Sequence, residues 1–255
     1  MCIRITFPSA LAITALLLSA CTKDPQVPAS GGPAPQAVLS LVVKPTWNGA
    51  PFSSDSVYVS AAGQRIRVGE LKFYLAPLLL EGAHGDHQLF DADLFNVIDG
   101  PQHRTLSMPA GNYQAVSLGL GLPYALNHRD LATVPPNAPT GNNSGMYWNW
   151  ATQYRFVIFS GRWDSDAHGT GDLPNVFDLH TGLDTLYRTR TIPFSLHANA
   201  EDTVHLTLNV DIARFFTDGT RQLDLSQHSM WHGTGDLDFA IMVADLQAAA
   251  LSIEP

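Results

Sequence analysis

The chain has 255 residues, 45% of them hydrophobic and only 15% charged, with 23 acidic residues against 14 basic ones and a formal charge of −9. An acidic surface with no basic run excludes nucleic acid as a partner, because phosphate contacts need Lys and Arg. The two cysteines, Cys2 and Cys21, both lie near the N-terminus, so the folded part has no disulfide, no cysteine nucleophile and no thiolate metal site.

In chain order, residues 1–20 read first as a secretion signal. Arg4 stands alone before the apolar stretch Leu11 to Leu18, and no acidic residue interrupts it. The stretch is shorter than the roughly 20 residues of a membrane span. The small residues Ser19 and Ala20 then precede Cys21. This pattern resembles the lipobox of bacterial lipoproteins. The resemblance implies cleavage before Cys21, lipid on its thiol, and (with Thr22 rather than Asp next) an outer-membrane anchor facing the periplasm. Loss of Arg4 with the leader takes the formal charge to −10. Residues 22–37, TKDPQVPASGGPAPQA, are too rich in Pro, Gly and small polar residues to bury a core. They read as a tether reaching roughly 20–25 Å. A single β domain is expected over residues 38–255.

The body of that domain reads as strands. Leu39 to Val43, Val57 to Ser60, Arg65 to Val68, Leu71 to Leu80, Asn112 to Leu120, Tyr154 to Ser160 and Ile192 to His197 are apolar or alternating runs punctuated by turn residues. Val204, Leu206, Leu208 and Val210 form one face of a strand, with His205, Thr207, Asn209 and Asp211 on the other. Pro77 inside the Leu71–Leu80 run predicts an edge or a bulge. Two helical pieces are predicted: a turn at Ile212–Phe216, and a helix over Leu237–Ala248 with Leu237, Ile241, Ala244 and Ala248 on one face. Asp236 and Asp238 suit its N-terminus. The expected fold is all-β, an antiparallel sandwich or barrel with a short C-terminal helix. The hexapeptide His168-Gly-Thr-Gly-Asp-Leu recurs from His232. It reads either as two similar turns or as loops offering Asp and carbonyl oxygens to a cation.

Catalytic patterns are missing. There is no G-x-S-x-G, no H-E-x-x-H and no nucleotide loop, so a non-enzymatic function is expected. Histidine carries more. Of the ten, six lie from residue 168 onward: His168, His180, His197, His205, His228 and His232. With no thiol available, imidazole and the thioethers of Met146 and Met230 are the borderline-to-soft ligands present. His228 and His232 are four apart: on a helix they would share a face, and in a loop they could wrap an ion. Tyr147, Trp148 and Trp150 lie in the densest aromatic stretch. It reads equally as core packing, a sugar-stacking platform or redox-active indoles beside a metal.

Several pieces together resemble the MbnP-like family, named for a methanobactin-associated periplasmic copper-binding protein. They are Gly69-Glu-Leu-Lys-Phe-Tyr-Leu75, Gly111-Asn-Tyr113, Gly145-Met-Tyr-Trp-Asn-Trp150 with Tyr154 and Phe156, Phe177-Asp-Leu-His180 before Thr181-Gly182, and Val210-Asp211 before Phe215-Phe216. The resemblance implies an exported β domain that binds copper. It also implies a diheme cytochrome c peroxidase-like partner that oxidises a tryptophan to kynurenine. His180 matches the family's Phe-x-x-His-x-Gly position, Trp148 its aromatic motif, and His228 and His232 the region before the last helix. These residues make His180, His228 and His232 the expected metal ligands and Trp148 the candidate for modification. The expected function is capture or storage of copper at the cell envelope. The alternative is a non-catalytic glycan- or protein-binding module working through Trp148, Trp150 and Tyr147.

Overall fold

The computed structural model describes residues 35–83, 85–149, 153–233 and 235–254. The proposed leader, Cys21, almost all of the tether and Trp150 lie outside the described residues.

Period-two alternation dictates two layers. In the first sheet, Gln36–Trp47 pairs with Gln102–Pro109 on one side and with Thr203–Asp211 on the other, and Leu251–Ile253 adds to Thr203–Asp211. Leu39, Leu41 and Val43 point inward with no exposure. The second sheet runs in the order Arg188–Ala198, Gly111–Leu120, Arg65–Gly82, Val157–Asp164, Asn175–Thr181, Met230–Trp231. Its inner face supplies Phe73, Phe159, Phe177 and Leu179 to the shared core. Both sheets keep free edges, so the architecture is a sandwich and not a closed barrel.

The pairing is not purely antiparallel. Gln36–Trp47 lies parallel to Thr203–Asp211, and Asn175–Thr181 lies parallel to Met230–Trp231. Parallel neighbours need a long connection. Here the intervening chain builds most of the second sheet before returning. Pro77 falls where the register shifts between Leu75 and Leu78, the bulge expected of it.

The C-terminal helix spans Leu237–Ala249, and Asp236 caps it by accepting from the Phe239 amide at 3.0 Å. Its buried face differs from the expected one. Ala244 and Ala248 are inside, but so are Phe239, Ala240, Val243, Leu246 and Gln247, while Leu237 is 42% exposed. The helix packs against both the sheet and the 3-10 turn Ile212–Phe215, so contact covers more than one stripe.

A second, smaller core lies on the outer face of the second sheet. Residues 121–149 and 153–156 fold across it, packing Leu122, Met146, Tyr154 and Phe156 on Tyr74, Ala76 and Ile158. Two phenols stitch it down: Tyr74 donates to the Pro139 carbonyl at 2.9 Å, and Tyr154 to the Thr140 carbonyl at 2.6 Å. Burial pushes both phenols above their ordinary pKa, so they remain donors at any physiological pH.

Candidate metal centre

The centre is built where the second core ends and the outer sheet face opens. Val157–Asp164 and Asn175–Thr181 pair antiparallel, with Ile158 opposite His180 and Ser160 opposite Asp178. Alternation along Asn175–Thr181 sends Phe177, Leu179 and Thr181 inward and leaves Asp178 and His180 on the outer face. The Met230–Trp231 strand adds beside it with Met230 in register with Asp178. Trp231 turns into the core, and His232 emerges next to Asp178.

The Asp178 carboxylate is the hub. Its Oδ1 lies 2.5 Å from His180 Nε2, and its Oδ2 lies 2.9 Å from His232 Nε2. Ser160 Oγ also donates to Asp178 and sits 3.2 Å from His180 Nε2. The two imidazole centroids are 5.0 Å apart. One ligand atom from each of Asp178, His180 and His232 falls within 4.8 Å of the other two.

Trp148 closes the top. It lies on Tyr147–Asn149, which hairpins onto Gln153–Tyr154. Its indole meets His180 and His232 edge to face at 6.0 and 5.5 Å and stays 39% exposed. The Arg155 guanidinium lies 5.6 Å from the indole ring and donates to the Gly145 carbonyl, which holds the hairpin in place.

His180 is only 8% exposed. Burial holds its pKa below the ordinary value, and the Asp178 carboxylate opposes that shift without overcoming it. The ring is therefore neutral near pH 7, the form that offers a lone pair. A nucleophilic triad would need the carboxylate on Nδ1 and the serine on Nε2. Here both oxygens face Nε2, and the buried Nδ1 has no partner among the described residues. The geometry is that of a carboxylate gathering two imidazoles, not of a proton relay. Two imidazole nitrogens and a carboxylate oxygen are borderline and hard donors that suit a divalent transition metal.

The structure brings together His180, His232 and Trp148 and sets His228 apart. His228 stacks on Phe239 at 4.5 Å and lies 3.7 Å from Asp236, at the start of the C-terminal helix. Neither a shared helical face nor a wrapping loop forms, because the Met230–Trp231 strand extends the chain between the two histidines. Met146 is sealed in the second core, whereas Met230 is 52% exposed beside Asp178. Asp178 and Ser160 are the members that the sequence did not single out. The Asp178-x-His180 spacing inside a strand was the available signal, since residues i and i+2 share a face.

The HGTGDL repeat divides into two roles. At the first copy Arg65 reaches the Gly171 carbonyl within it at 3.4 Å and the Asp166 carbonyl just before it at 3.1 Å, which fixes the loop as structure. In the second, His232 joins the cluster and Asp236 caps the helix.

Fold and site together define an open β-sandwich that carries an imidazole–carboxylate cluster under an indole on its outer face. The family profile MbnP matches residues 36–233, a span that contains the whole cluster. The chain belongs to the MbnP family. A solved structure, MbnP from Methylosinus trichosporium, is 12% identical, with 78% of this chain and 82% of that chain covered and a TM-score of 0.46. No curated protein matches the chain.

Proposed function

We propose that this chain is a copper-binding protein of the cell envelope that captures or stores copper, held as cargo by His180, His232 and Asp178. The convergence of those three side chains on one exposed sheet face is the observation that carries the reading. Family membership supports a methanobactin-associated role. The donor set favours the cupric ion, since no thiolate is present and the exposed Met230 thioether is the one soft group in register beside the cluster. A binding role needs no nucleophile, in keeping with the non-relay geometry at Ser160.

Trp148 is the tryptophan we assign for oxidation by a diheme cytochrome c peroxidase-like partner. Its indole is exposed enough to be reached and close enough to both imidazoles for a kynurenine there to add a donor to the site. Cys21 is the residue we assign to the lipid anchor, at the outer membrane. No helix among the described residues is long and apolar enough to cross a membrane.

The test is a competition titration of the purified full-length protein with Cu(II). The expected result is one copper per chain, lost in His180→Ala. Binding weaker than about micromolar, or binding indifferent to His180, would refute the proposal. Mass spectrometry after co-expression with the heme enzyme should place any kynurenine-sized mass change at Trp148.

A further inference from the structure

Beside the cluster, on the same outer face, lies an open groove of about 380 Å³. Its floor is the irregular pairing in which Ser160 and Gly161 face Glu70 and Val68 and skip Gly69. Arg67 and Arg162 stand directly opposite each other across the two strands and line one end of the groove. Like charges opposed in this way repel and destabilise a sheet. The chain has carboxylates to spare, and it spends them on other arginines: Arg65, Arg104, Arg188 and Arg221 each hold an aspartate. Among the described residues neither Arg67 nor Arg162 has a carboxylate partner, and the one polar contact of Arg162 is the Leu173 carbonyl at 3.4 Å. Glu70 also lines the groove and pairs with Lys72 at 2.8 Å.

The floor is open because of Gly69. A Cβ built there would meet nothing closer than 3.9 Å, so neither packing nor backbone conformation demands glycine. The missing side chain leaves room between the guanidinium pair and Ser160. Ser160 belongs to both features: it walls the groove and bonds Asp178. Arg162 lies two residues further along the same strand, about 7 Å away.

We propose that this groove is an anion subsite for a small polycarboxylate chelator, so that the chain receives its metal as an anionic complex. Two guanidinium forks suit carboxylates, and a multidentate acid spanning about 7 Å places its metal-binding end at Ser160 and the cluster. The pair also supplies the local positive field that lets an anion approach a chain of net negative charge. The chelate half of the proposal rests on the copper reading, whereas the anion half does not.

The experiment titrates the full-length protein with citrate alone, inorganic phosphate alone and Cu(II) alone, at about 0.15 M salt to screen unspecific attraction. It is repeated on the R67Q/R162Q double variant and on Gly69→Leu, which fills the groove and keeps both charges. Citrate should bind the native chain without metal, and its affinity should fall by about tenfold or more in each variant while that for Cu(II) alone is unchanged. No citrate binding, equal citrate binding by the variants, or phosphate binding as tightly as citrate would overturn the assignment. Failure of Cu(II) alone to bind, with citrate binding intact, would sink the copper reading and leave the anion subsite standing.

Discussion

Replacing Asp178 by asparagine separates a metal centre from a hydrogen-bonded scaffold. The amide keeps the shape and one acceptor, so the contacts to His180 Nε2 at 2.5 Å and His232 Nε2 at 2.9 Å can survive in neutral form. A loss of about 1–3 kcal/mol in stability is then the most that weakened charged hydrogen bonds can explain. A bound cation loses far more, because Asp178 is the one anionic member of the three-residue group. Losing only a group that orients a metal's ligands costs about 10–100-fold in affinity. The loss of a charged ligand should therefore cost at least about 100-fold, or about 2.8 kcal/mol. The assay pairs Cu(II) competition titration with urea unfolding of the metal-free protein. The imidazole resonances add a second check. The Asp178 carboxylate raises the His180 pKa against the larger effect of burial, so the variant should titrate at still lower pH. Copper affinity within about threefold of the native value, or a His180 pKa that rises, would refute the reasoning.

Other outcomes follow from the same geometry. His228→Ala should leave copper affinity within about twofold, since His228 sits on Phe239 and outside the cluster; a larger loss by titration would place it back among the ligands. Phe177→Ala removes a ring with no exposure that packs on Phe159 at 5.0 Å, directly behind Asp178. It should cost about 3–5 kcal/mol by urea denaturation. The metal-free protein should lose stability as pH falls. The folded-state pKa of His180 lies below its ordinary 6.5, so the unfolded chain binds the extra proton first. The contribution is complete above pH 6.5 and is lost as pH falls from there through the folded-state pKa. Thermal melts from pH 8 to 5 should show that slope, and D178N should extend it to lower pH.

Much of this protein follows from local chemistry alone. Alternation in Val204–Asp211 and in Asn112–Leu120, and the Asp236 cap before the last helix, need only the chain's own periodicity. The absence of thiols from the folded part limits any metal site to histidine, carboxylate and thioether, and His180, His232 and Trp148 stood out on residue type and motif. The Gln102–Pro109 strand was hidden, because HRTLS alternates around a half-exposed face with few large apolar residues.

Tertiary structure decided the membership of the site. Asp178 is one acid among 23, and only the register with Ser160 and the parallel arrival of Met230–Trp231 make it the hub. His228 and His232 are near-neighbours in sequence, yet one joins a helix cap and the other the cluster. His180 is covered by Trp148, laid over the outer sheet face from more than twenty residues away along the chain. These are contacts between strands distant in sequence. Periodicity fixes which face a side chain takes, while register and crossover, set by packing of the whole sandwich, fix what that face meets.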